Sequence, residues 1–133
     1  MEDSGIYALL IRCDGVTIRV GALGELQFDR GYYVYIGSAQ RNMQKRIARH
    51  MRSDKKIKWH IDYLLQHARV VDVHTVSAPK NCEEFVAIEL GKKYRYVPGF
   101  GASDSHAKSH LFTGIRDNLW NDAISLMRRC KND

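Results

Sequence analysis

Proline is scarce in this 133-residue chain, with two in all, and no stretch is low in complexity. Together with an ordinary apolar content this excludes disorder over most of the length. Cysteine is scarce too: Cys13, Cys82 and Cys130 have no metal-ligand spacing among them and their number is odd. The opening Met1-Glu2-Asp3 is acidic and polar, unlike a secretory leader, so free thiols in a reducing cytoplasm are the expectation. Long hydrophobic runs are missing. The longest, Ile6 to Ile11, is far too short to cross a bilayer, and no membrane role is expected. Neither a repeat nor a long linker divides the chain, so residues 1–133 read as one domain.

What is present is enough for a core, with 44% hydrophobic residues and 10% aromatic ones. The 21 basic residues outnumber the 15 acidic ones, a formal charge of +6 with a pI near 9.3. A chain of this charge attracts polyanions and releases their condensed counterions. Charge of this size is equally compatible with a soluble protein that has a cationic surface.

Gly5 to Arg12 is a dense apolar run, read as a buried strand, and Val16 to Val20 alternates like a second strand after the turn signal Asp14-Gly15. Gly31 to Gly37 is aromatic and β-branched, a third strand, and the three together suggest an antiparallel meander. The period then becomes helical. Met43, Ile47 and Met51 recur at spacings of four, among Arg41, Lys45, Arg46, Arg49 and Arg52. A second helix is expected over 57–66, with Ile57, Ile61, Leu64 and Leu65 turned inward. Then follow a strand at 69–76, a helix at 83–94, a Gly-containing loop at 97–105, a short strand at 110–112 and a closing helix at about 117–129. The order implies an α/β (α+β) sandwich around a small antiparallel sheet of about three strands.

Four groups of residues can carry chemistry. Tyr7 and Tyr35 lie on strands, where a phenol can bond a phosphate or pass a proton, although strands also favour tyrosine for packing alone. Arg46, Arg49 and His50 share one helix flank, where an arginine can fork onto a phosphate and a histidine can move a proton. A solvated basic face explains Arg49 and Arg52 as well. Glu83 shares a helix face with Val86, Ala87 and Leu90, so it is either a helix-start acid or a carboxylate aimed into a cleft. Asp104, His106 and His110 form a last cluster, but their spacing matches no standard zinc pattern.

In this order the groups resemble the GIY-YIG nuclease superfamily: Gly5-Ile6-Tyr7, Tyr35-Ile36-Gly37, an arginine nine residues later and a downstream glutamate. A small, mainly archaeal subfamily, stand-alone or fused to a base-excision endonuclease, is similar over about residues 5–113. That similarity runs through Gly31 to Ala39, Arg49-His50, Trp59 to Leu65, Pro98 to Gly101 and Ser109 to Phe112. The resemblance implies a central three-stranded antiparallel sheet flanked by helices, and one Mg2+ or Mn2+ ion bound by Glu83. It implies Tyr7 and Tyr35 at the site, Tyr7 as the base or base-assisting group, Arg46 on the phosphate, and His50 in proton transfer or leaving-group contact. Ser38, Arg41, Lys45 and Arg49 are the expected substrate contacts. Two departures stand out. Asn81-Cys82 precedes Glu83-Glu84, which leaves Glu84 as second choice for the metal and Glu89 as third. Ser105 and Ala107 stand where relatives tend to carry cysteines, which takes thiol chemistry away from that loop.

The implied function is metal-dependent hydrolysis of phosphodiesters in nucleic acid, DNA before RNA, with selection by structure rather than by sequence. A cytoplasmic protein acting as a monomer or weak homodimer is expected, in a DNA-repair setting. The competing expectation is a binding module on the same fold that does not cut. A third is a partner-binding scaffold that uses Leu119, Trp120, Ile124 and Met127 of the closing helix.

Overall fold

The computed structural model describes residues 3–103 and 105–131. The apolar run at the start becomes β1 (Gly5–Cys13), every residue of which but one is buried. A strand so apolar needs cover on both faces and neighbours on both edges, and it has them. It pairs antiparallel with β4 (Gly31–Ala39) on one edge and with β5 (Arg69–Val76) on the other. Two short strands, β6 (Arg95–Tyr96) and β7 (Leu111–Thr113), extend the sheet beyond β4, giving the order β5-β1-β4-β7-β6. All four pairings are antiparallel, so the α+β class holds with five strands in place of about three.

The meander expectation is corrected. Strand β2 (Val16–Arg19) does not pair with β1; it forms a separate hairpin with β3 (Glu25–Phe28). The Asp14-Gly15 turn is therefore where the chain leaves the sheet, and β4 resumes the pairing at Cys13↔Gly31. Alternation explains the hairpin's position. Val16, Ile18 and Leu26 share one apolar side and lay it on the core beside Leu9 and Ile11.

Period-two alternation splits the core into two layers. Ile6, Ala8, Leu10, Val34 and Ile36 face α3 (Asn81–Gly91) and α4 (Arg116–Lys131). Tyr7, Leu9, Ile11, Tyr33 and Tyr35 face the hairpin and the side of α1 (Met43–Met51) and α2 (His60–Leu64). Helix α2 is shorter than expected, and Ile57 lies before it and is exposed; Met51 is exposed as well. On α4, Leu119, Ala123 and Met127 are fully buried and Trp120 packs against them, so that stripe is core.

The thiol expectation is corrected too. Cys82 and Cys130 form a disulfide between α3 and α4, whose packing brings their Cα atoms to 5.9 Å; Cys13 is free and buried. Among the described residues no helix is long and apolar enough to cross a membrane.

Candidate active site

Both tyrosines sit on the same face of the sheet. Tyr7 is opposite Gly37 and Tyr35 is opposite Leu9, so the two phenols are diagonal neighbours. Gly37 must be small: a Cβ there would lie on the Tyr7 ring, 2.5 Å from Oη and 2.8 Å from Cε1. Gly5 has φ +151°, and a Cβ there would run into the Val76 carbonyl oxygen. The first glycine lets β5 close against β1, and the second lets Tyr7 lie flat across β4.

Tyr7 is 2% exposed and its hydroxyl lies 2.9 Å from Nε2 of His50, at the buried end of α1. Burial drives the Tyr7 pKa well above the ordinary phenol value, against a smaller downward pull from the Arg46 guanidinium. Burial likewise lowers His50 to about 4, with Asp62 pulling it part of the way back. Both groups are therefore neutral at pH 7. Nδ1 of His50 has no protein partner among the described residues. Burial, then the nearby Tyr7 and Glu83, raises the Tyr35 pKa.

Arg46 lines a cavity of about 310 Å³ together with Tyr7, Tyr35, Ser38 and Glu83. Its Nη1 donates to the Ser38 carbonyl at 2.6 Å, and its guanidinium lies 4.9 Å from the Trp59 ring centroid. No carboxylate of the described residues pairs with it, so the rest of its fork can meet an anion. Opposite stands Glu83, in the first turn of α3, accepting from the Ser38 hydroxyl at 3.0 Å. Glu84 turns away, onto the backbone of His106 and the hydroxyl of Ser105. Glu89 pairs with Lys92. Of the three glutamates considered, Glu83 is the one that lines the cavity.

The basic flank of α1 divides. Arg41 and Lys45 are exposed and outside the cavity lining. Arg49 corrects the expectation of a substrate contact. Both its terminal nitrogens donate to Asp62, each at 2.9 Å, and one also reaches the Lys56 carbonyl at 2.7 Å. Asp62 is fully buried and also accepts from the backbone N–H groups of Lys58 and Trp59, which caps α2. Burial raises its pKa, but the bonds from Arg49, Trp59 and Lys58 outweigh this and hold the carboxyl below its usual range. This pair fixes the segment that brings Lys58, Trp59 and His60 to the cavity wall. The sequence reading gave those three no role, and a run of lysines around one tryptophan was the signal available. Lys80, also unassigned, adds charge at the opposite wall.

Asp104 lies outside the described residues. His106 is exposed and bonded to Glu84, while His110 is buried at the cavity floor, so these two histidines do not converge. Among the described residues no three His, Cys, Asp or Glu side chains gather as a metal cage. The Glu83 carboxylate beside a hydroxyl fits a hard cation that takes one or two carboxylates and keeps its waters; it does not fit zinc.

The profile of one family, described as "Domain of unknown function DUF123", matches residues 6–132. No curated protein and no solved structure matches the chain.

Proposed function

Because the chain belongs to the DUF123 family, we propose that its fold is GIY-YIG-like and that it is a metal-dependent endonuclease hydrolysing phosphodiester bonds in DNA. One observation carries this reading. Tyr7, Arg46 and Glu83 come from three different elements and converge on one cavity, with His50 behind Tyr7 and outside the lining. A binding module would gain nothing from a carboxylate facing a phosphate, which it would repel unless a cation intervened.

Glu83 would hold Mg2+ or Mn2+, and such an ion when bound supplies Lewis-acid polarisation of the phosphoryl oxygens. Arg46 places its fork on the same phosphate and offsets charge that develops in the transition state. Tyr7 holds a proton at Oη and is not ionised at neutral pH. Its part is to accept a proton from the attacking water while its own moves to Nε2 of His50. Asp62, close enough to raise the His50 pKa, favours that transfer. Arg41, exposed just before α1, Lys45, exposed on it, and Lys58 and Lys80, at the cavity, are placed to hold the flanking strand.

The test is cleavage of labelled flapped, branched, nicked and plain DNA, with RNA controls, in Mg2+ or Mn2+, beside Glu83→Gln and Arg46→Ala. Cutting by the wild type that disappears in both variants while binding persists is the expected result. Binding without cutting on every substrate by the wild type would overturn the reading in favour of the non-catalytic module.

A further inference from the structure

His110 has no part in the chemistry above, yet it is 2% exposed, lines the cavity and touches the α3 glutamate from behind. Its backbone explains how it came to be there. The His110 carbonyl accepts from Ile36 N at 3.0 Å, as a sheet partner should, but the His110 N–H is diverted to the Phe100 carbonyl at 2.8 Å. The Ile36 carbonyl would then be left without a donor, a costly state for a buried group. The imidazole replaces the missing N–H, with Nδ1 3.2 Å from that oxygen. Since a carbonyl only accepts, Nδ1 carries the hydrogen. At the far side of the ring, Nε2 lies 3.0 Å from Ser105 Oγ, whose single hydrogen serves either that nitrogen or the Glu84 carboxylate 3.1 Å away. The ring is thus clamped at both nitrogens, and its Nδ1–H edge stands 3.6 Å from Glu83 Oε2.

Resting on the metal-binding reading of Glu83, we infer that His110 is the positioning residue of that carboxylate. Ser38 holds one oxygen of Glu83, and the His110 ring, packed 3.6 Å from the other and held by the Ile36 carbonyl, limits where that oxygen can swing. Ser105 then acts on the ring from the adjoining loop, so the geometry of the cation site depends on a residue that does not contact Glu83. Partners of this kind orient ligands and tune affinity without binding the ion themselves.

Asn carries an amide nitrogen where histidine has Nδ1, and Gln carries one where it has Nε2, so the two variants separate the edges. Mn2+ binding is measured by water-proton relaxation, and cleavage is measured against Mg2+ concentration. His110→Gln is expected to weaken Mn2+ binding about 10-fold or more and to raise the half-saturating Mg2+ in parallel. His110→Asn keeps a nitrogen on the Glu83 side but loses the Ser105 contact, and is expected to weaken both by no more than Ser105→Ala does. Ser105→Ala, a loop change that leaves the sheet bonds intact, is expected to weaken Mn2+ binding several-fold in the same direction. It decides the matter if His110→Gln fails to fold. Wild-type Mn2+ affinity in Ser105→Ala and in folded His110→Gln would overturn the inference. A Glu83→Gln control separates the two levels: if it also binds Mn2+ normally, the reading of Glu83 as the metal ligand fails. If it alone loses Mn2+, only the role of His110 fails.

Discussion

Replacing Arg49 with alanine removes the one side chain that neutralises Asp62. The carboxylate is fully buried and accepts four bonds, two from the Arg49 guanidinium at 2.9 Å and two from the backbone of Lys58 and Trp59 at 2.8 and 2.9 Å. Breaking a buried pair by deleting one partner costs about 3–5 kcal/mol, and the two surviving backbone bonds place this case at about 3 kcal/mol. For a chain of this size that corresponds to a fall in melting temperature of about 10 °C. The assay is thermal and urea unfolding followed by far-UV circular dichroism, with Lys45→Ala, an exposed cation on the same helix, as the reference. Acid titration supplies a second readout. Because the Asp62 pKa is held below its unfolded value, its stabilising contribution is full above the ordinary carboxylate range. That contribution is lost as the pH falls through the depressed native pKa, so Arg49→Ala should flatten this acid limb. A variant that melts with Lys45→Ala but binds nucleic acid poorly would refute the reasoning and return Arg49 to the substrate.

His50 provides a pH dependence of its own. Buried neutral with a pKa near 4 against 6.5 when unfolded, it costs up to about 3 kcal/mol of stability as the pH falls from 6.5 to 4. His50→Gln should remove that slope, read as urea midpoints at pH 7.5 and 4.5. Gly37→Ala should cost about 1–3 kcal/mol by overpacking and abolish cleavage by displacing Tyr7. Gly91→Ala, where a Cβ meets only Phe112 at 3.8 Å, should melt at or slightly above wild type. Reducing the Cys82–Cys130 bridge, or Cys130→Ser, should lower stability by about 2–4 kcal/mol, measured as melts with and without reductant.

Local pattern made some of this legible in the sequence and distance in the chain concealed the rest. Tyr7, Tyr35 and Glu83 were readable because strand alternation and helix spacing decide which way a side chain points before any partner is known. The two motif glycines were readable as a signal, although their reason, a crossing phenol at Gly37 and a closing strand at Gly5, exists only in the folded chain. Arg49 was misread because a basic helix face looks the same whether its arginine meets water, a phosphate or a buried Asp62 thirteen residues on. The disulfide was invisible because its cysteines are 48 residues apart and only the docking of α4 on α3 joins them. Two-residue β6, and the separation of β2 from β1, escaped for a similar reason. Such short strands carry too few alternations to declare themselves, and their pairing is set by which edges β1 and β4 leave free.

The Cys82–Cys130 bond closes the chain between those residues into a covalent ring. Glu83, Gly101, Ser105 and His110 belong to the ring, whereas Tyr7, Arg46 and His50 belong to the open chain that precedes it. A protease that nicks the exposed glycine turn at Gly101 would therefore release no fragment. Both halves of the cut ring stay threaded through one sulfur bridge, and the clipped protein would run as a single species until a reductant separates it.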